Sequence, residues 1–426
     1  MFYIQEILQT SRGCSVLSKN QATKILMVST EYPPMHGGVG RYTFNLVREL
    51  RKKGSKVIVV CNEKGDGDCF GLAPANDDNY KVLLKIVDEI HPDIVHIQYE
   101  HGLYGLVLDP FNPNKTRTNI DLFYDKCNVP IVTTFHTSFN FKQWMNMVVP
   151  IKNSNKFGRI GYLGNKLLRY WTHFVNYKSF HDLNRQKLIK SVGGIVFSQY
   201  MKNKVGGGRV VYHGAESLLP FSASKEQARS RFSFPQEGRI ALAIGFRTAT
   251  KGWDLFQKMS IPQPWTIVIN SSNNHYNMEN LKPKFEHPKI INLDMDFLND
   301  TELSLLFRAA DAVLLPYKVS SGSGVMFDGL AHGLPFIASD LEFFREFSSM
   351  GLGITVKRNA RAFAKALLDL DGNYLAYLKS VESFKNKIKW NYVASMHIQL
   401  YDNIIKNMSQ RVLQNETQPR SNLMGV

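Results

Sequence analysis

The sequence predicts an α/β protein made of two doubly wound, Rossmann-like parallel-sheet domains. Strand-like and helix-like patterns alternate along the chain, and the alternation starts afresh after Gly214-Ala215-Glu216. A length of 426 residues also calls for two or three domains rather than one.

The first series opens with an apolar run at 24–30, a glycine loop, a helical pattern over about 40–53 and a second apolar run at 56–61. Strand, glycine-rich turn, helix and strand in so short a span make a βαβ unit with parallel strands. A helix is expected at 80–90, stopping before Pro92, with strands at 93–98, 130–135 and 193–198. The second series places strands at 239–245, 265–270, 290–293, 312–316, 335–339 and 353–356, and a helix at 301–310 with Asp300 as its N-cap. The division that follows is a polar extension at 1–23, one domain at 24–216, a second at 217–383, a last helix at 384–408 and a disordered tail at 409–426.

With 44% hydrophobic and 12% aromatic residues, the chain can bury ordinary cores, which excludes global disorder. No apolar run reaches the roughly 18 to 20 residues of a membrane span, and residues 1–23 lack the pattern of a secretory signal. A soluble, cytoplasmic chain is expected. Cys14, Cys61, Cys69 and Cys127 have no paired metal-ligand spacing, and Cys61 reads as a core thiol in a reducing compartment. The net charge is +16, and residues 151–204 hold eleven Lys or Arg against the single acid Asp182. That concentration implies anionic partners: phosphates, lipid headgroups or nucleic acid. Nucleic acid ranks last, because the basic region contains no recognisable nucleic-acid module.

Three loops carry candidate chemistry. Pro33-Pro34-Met35-His36-Gly37-Gly38-Val39-Gly40 joins the first strand to the first helix. Gly37 and Gly38 let backbone amides approach a phosphate at a helix N-terminus; a simple tight turn is the other reading. Gly245-Phe246-Arg247-Thr248-Ala249-Thr250-Lys251-Gly252 holds the same place in the second series. Arg247 and Lys251 there suit charge developing on a leaving diphosphate, or form a solvated basic loop. Ser320-Ser321-Gly322-Ser323-Gly324 precedes a helix and makes an anion nest with added hydroxyl donors. Asp328, early in that helix, can accept from ribose hydroxyls. A flexible linker is the alternative for this Ser/Gly run.

Taken in order, these segments resemble the retaining glycosyltransferase family four, of GT-B type. Gly37-Gly38, the loop 245–252 and the stretch 328–337 fill three family positions, and Asp93 to Gly102, Thr133 to His136, Val210 to Glu216 and Ala310 to Pro316 resemble others. The likeness covers about residues 24–408. Two departures accompany it: Ser320 stands where the family has its first glutamate, and Asp328 replaces the second. Lys251 is in register with the family's loop, whereas Arg247 is displaced by one position.

The resemblance implies two facing Rossmann-like domains, with the last helix crossing back to the first. It also implies transfer of a hexose-type sugar from a UDP- or GDP-sugar, with retention, to a lipid-linked, glycan or polysaccharide acceptor. His136 would lie beside the donor sugar. Arg247, Lys251, Gly37, Gly38 and the nest of Ser321, Gly322, Ser323 and Gly324 would hold the diphosphate, Asp328 the ribose, and Glu100 and His101 would face the acceptor. No metal and no further cofactor are expected. A basic aromatic segment at 151–190 places Leu163, Leu167, Tyr170, Trp171, Phe174 and Tyr177 on one helical stripe. That stripe is either core-facing or a contact with an anionic membrane at the inner face of the cell. The competing functions are another nucleotide-sugar enzyme, such as an epimerase, or an inactive scaffold of the same shape.

Overall fold

The computed structural model describes residues 22–147, 159–217, 223–273, 285–293 and 295–417, except for the side chains of 159–166 and 411–417. The first half holds strands β1 (Lys24–Val28), β2 (Lys56–Val60), β3 (Ile94–Tyr99), β4 (Ile131–Phe135), β5 (Gly193–Val196) and β6 (Arg209–Val210). The second holds β7 (Arg239–Phe246), β8 (Trp265–Ser272), β9 (Ile290–Leu293), β10 (Ala312–Leu315), β11 (Phe336–Ser339) and β12 (Gly353–Val356). Each set forms one parallel sheet, in the orders β2-β1-β3-β4-β5-β6 and β12-β11-β10-β7-β8-β9. The central strands β3, β4 and β10 are buried at every position, as continuous apolar runs must be when helices cover both faces of a sheet.

The strand orders decide where a ligand can sit. The chain leaves β1 to one side for β2 and to the other for β3; it leaves β7 likewise for β8 and β10. Open parallel sheets bind ligands beyond the carboxyl ends of their strands, at this reversal. The loops after β1 and β7, which contain Gly37-Gly38 and Lys251, lie at the two reversal points.

Helix ends required more correction than strands. Asn299, not Asp300, caps the helix Asp300–Ala309: its side chain accepts from Glu302 N at 2.9 Å, and Glu302 reaches back to Asn299 N at 3.1 Å. This reciprocal box satisfies two end amides, which a cap at Asp300 would not. The expected last helix is two: Phe384 belongs to Tyr374–Lys385, and a new helix runs Trp390–Thr417. The chain is therefore helical past Ser409, where a disordered tail was expected; 418–426 and 1–21 lie outside the described residues. Helix Phe141–Met147 had no counterpart in the sequence reading.

The last helix packs on the first half. Trp390 meets Tyr42 of helix Gly38–Lys52 at 5.3 Å, and Tyr401 Oη lies 2.6 Å from His96 Nδ1 on β3. A polar seam joins the halves elsewhere. The Glu346 carboxylate accepts from Gln199 N and Tyr200 N, both at 2.9 Å, and Gln143 Oε1 accepts from Ser320 N at 2.8 Å. Among the described residues, no helix is long and apolar enough to cross a membrane.

Candidate active-site cleft

A cavity of about 310 Å³ lies between the two reversal points, lined by Gly37, Gly38 and His136 from one half and Lys251, Gly322, Ser323, Gly324 and Asp328 from the other. These eight predicted residues, drawn from positions 37 to 328, converge on one space, and Glu100 joins them.

The first loop is built around a carboxylate. Glu31 is 5% exposed, and its Oε2 accepts from Gly40 N at 2.9 Å, at the start of helix Gly38–Lys52. Burial raises its carboxyl above the ordinary value. A side chain at Gly37 would fall 1.7 Å from Glu31 Oε1, whereas one at Gly38 would meet nothing. Glu31 therefore occupies part of the amide cradle, and Gly38 presents the open backbone.

On the second half, Gly245 has φ +152, and Lys251 folds over it, with Cε 3.5 Å from where a Cβ would lie. The ammonium stands 4.0 Å from the Tyr317 ring, with no carboxylate on it among the described residues. Arg247 is otherwise placed. It is 8% exposed and bonds Ser271 O at 3.0 Å, Asn273 Oδ1 at 3.1 Å and Asp296 Oδ1 at 2.7 Å. It does not line the cleft, because β7 runs on through Phe246 and sends residue 247 toward β8 rather than over the strand ends. The expectation for Arg247 is corrected accordingly.

In the nest, Ser323 caps helix Gly324–Ala331 by accepting from Met326 N at 3.2 Å. Ser321 is buried and is not among the residues lining the cleft. Ser320 likewise turns inward, bonding Gly322 O at 3.1 Å. Asp328 is 4% exposed and already paired: its Oδ2 accepts from Arg41 Nη1, 2.7 Å away on the opposite half.

His136 Nε2 lies 2.9 Å from Gln98 Oε1, and burial, with His213 nearby, holds its pKa down to about 3. The ring is therefore neutral at working pH, with Nε2 carrying the proton toward Gln98 and Nδ1 left as an acceptor. His213 stacks on Phe327 at 5.6 Å and lines the cleft beside Gly324. Glu100 lines the cleft and accepts from Leu103 N at 3.2 Å; burial raises its carboxyl. His101, expected beside it, is 1% exposed, stacks on Phe180 at 3.8 Å and lies outside the cleft. A turn of 3-10 helix after Glu100 rotates it into the core.

The sequence reading passed over Arg41, Glu31, Gln98 and Trp390. A cation four residues after a glycine pair was the available signal for Arg41. It also passed over three Asp-x-Asp triplets, at Asp66–Asp68, Asp294–Asp296 and Asp369–Asp371. Of their described members only Asp296 lines the cleft, and it is bonded to Arg247. No group of three or more His, Cys, Asp or Glu is placed to hold a metal among the described residues.

Two facing doubly wound domains with a cleft between their reversal points define the GT-B architecture. Residues 36–175 match the model of Glycosyltransferase Family 4, so the resemblance drawn from the motifs holds for that third of the chain. No curated protein matches the sequence. Among solved structures, sucrose-phosphate synthase from Thermosynechococcus elongatus is 14% identical, with a TM-score of 0.62 over 90% of this chain and 100% of that one. Anabaena HepE, in complex with UDP and glucose, is 11% identical, with a TM-score of 0.58 over 89% and 100%. WaaG, a glycosyltransferase involved in lipopolysaccharide biosynthesis, is 12% identical, with a TM-score of 0.57 over 88% and 99%.

Proposed function

We propose that this chain is a retaining, metal-independent glycosyltransferase that moves a hexose-type sugar from a UDP- or GDP-sugar to a lipid-linked or carbohydrate acceptor. The observation that carries the reading is the convergence of Lys251 and the Gly322–Gly324 amides on one cleft, facing His136. In the reaction, the bond from the anomeric carbon to the β-phosphate oxygen breaks, and its electron pair stays on that oxygen. The acceptor oxygen attacks from the same face and gives its proton to the departing phosphate. Lys251 and the nest amides stabilise the negative charge that develops there, which lowers the barrier without a separate base; their shared place in the cleft lining supports this role. His136 Nδ1 accepts from a sugar hydroxyl and orients the ring. Glu100 faces the acceptor.

The aromatic stripe supports a membrane-facing acceptor side. Leu167, Tyr170, Trp171 and Phe174 are between 45% and 71% exposed, and Phe111, 72% exposed, packs on Trp171 at 5.8 Å. Tyr177 of the same stripe instead packs inward on Phe141 and Trp144, and the side chain of Leu163 lies outside the described residues. An exposed apolar patch beside Lys178 suits an anionic bilayer presenting a lipid-linked acceptor.

Incubation with a panel of UDP- and GDP-sugars, followed by NMR of the product, tests the reading. A glycoside with the donor's anomeric configuration is expected. An inverted product overturns retention, and an epimerised donor sugar with no glycoside overturns the transferase reading.

A further inference from the structure

Among the described residues the cleft lining contains two cations, Arg41 and Lys251, one from each half. Arg41 Nη1 bonds Asp328 Oδ2 at 2.7 Å, and Nε bonds Asp300 Oδ1 at 3.2 Å, which leaves Nη2 without a partner among the described residues. Asp300 is partly exposed and Asp328 is almost fully enclosed. With two carboxylates on one guanidinium, this corner of the cleft carries net negative charge, which by itself is unsuited to a diphosphate. A nucleotide's ribose can substitute for Arg41 there, because its hydroxyls are donors and Asp328 is an acceptor within the same cavity.

We infer that Arg41 is a transferable cation: ribose hydroxyls take over Asp328, and the released fork of Arg41 turns to the leaving diphosphate while Asp300 retains Nε. It fills the place the sequence offered to Arg247, which the structure commits to Ser271 and Asp296. Because Arg41 belongs to helix Gly38–Lys52 of the first half, full charge stabilisation draws on both halves around the donor. The inference rests on the nucleotide-sugar reading above and adds a residue to it.

Calorimetric titration of uridine, UMP and UDP, with the guanosine series in parallel, against wild type and Arg41→Gln separates the possibilities. Arg41→Gln is expected to weaken the preferred diphosphate about tenfold or more, as loss of a charged hydrogen bond does. The parent nucleoside should bind as well as before or better, since its competitor for Asp328 has gone; its retained binding also reports a folded variant. Arg41→Lys, which keeps the charge and loses the fork, should fall between. Equal strengthening of nucleoside and diphosphate would show a simple latch and overturn the inference. Unchanged affinities would overturn it too. Wild type binding neither series would defeat the nucleotide-sugar reading and, with it, this one.

Discussion

Replacing Gly37 by alanine separates the structural from the functional part of the glycine loop. The backbone at Gly37 is extended, with φ −167, so an alanine suffers no conformational strain there. The obstacle is Glu31: the new methyl would stand 1.7 Å from Oε1, 1.8 Å from Cδ and 2.1 Å from Oε2. The carboxylate must leave, and the 2.9 Å bond from Gly40 N goes with it. A charge-assisted hydrogen bond lost in a buried place is worth about 1.5–3 kcal/mol. Forcing extra volume into a packed region adds about 1–3 kcal/mol. Gly37→Ala should therefore lose roughly 2.5–6 kcal/mol of stability. Gly38→Ala meets nothing and enters a helix, so its stability should change by less than about 1 kcal/mol in either direction. Its methyl does project into the cleft, and its cost should appear in donor KM. Urea unfolding followed by tryptophan fluorescence measures the first quantity and steady-state kinetics the second. If Gly37→Ala unfolded at the wild-type urea concentration, Glu31 could not be seated against that loop, and the account of the first loop would be wrong.

Four further outcomes follow from the same geometry. Lys251→Ala should lower turnover by about 10²-fold or more, as removal of a preorganised charge does, with little change in melting temperature because the side chain packs mainly on Tyr317; wild-type turnover would end its assignment. Arg247→Ala should do the reverse. Leaving Ser271 O unpaired costs about 2 kcal/mol, the Asp296 pair adds little because Asp296 is 77% exposed, and turnover measured below the melting point should largely persist. Burial holds His101 and His136 down to about 3 and His213 and His397 to about 4, from 6.5. The unfolded chain then binds more protons than the folded one between those values, so stability should be full above pH 6.5 and fall steeply toward pH 4; the raised carboxyls of Glu31 and Glu100 act with the opposite sign, and a flat urea midpoint over that window would refute the burial of these rings. Trp171→Glu with Phe174→Glu should reduce co-sedimentation with anionic vesicles about tenfold or more, on about 1.5–3 kcal/mol per buried aromatic, and unchanged binding would remove this helix from the membrane contact.

The contrast between Lys251 and Arg247 shows where a sequence stops being informative. All twelve strands except the two-residue β6 were legible, because a sheet covered on both faces requires unbroken apolar runs. The loops after β1 and β7 were legible as turns beyond the strand ends, from their glycines and cations between a strand and a helix, and the structure brings Gly37, Gly38 and Lys251 of these loops to one cleft. Which cation enters the cleft was not. Both lie on one eight-residue loop, and only the continuation of β7 through Phe246 turns Arg247 toward β8, while the 3-10 turn Ala249–Lys251 brings Lys251 back over Gly245. Asp328 was found and its partner was not, since Arg41 lies 287 residues away and no local pattern records a contact between halves. Spacing along a chain assigns a residue to a loop; the direction of its side chain depends on hydrogen bonds that the loop makes with the neighbouring strand. A cleft assembled from two domains multiplies that uncertainty, because a charge pair such as Arg41–Asp328 draws one partner from each half. Among the described residues the pairing separates the two arginines: Arg41's carboxylate partners belong to the opposite half, whereas Arg247 is held by Ser271 and Asp296 of its own.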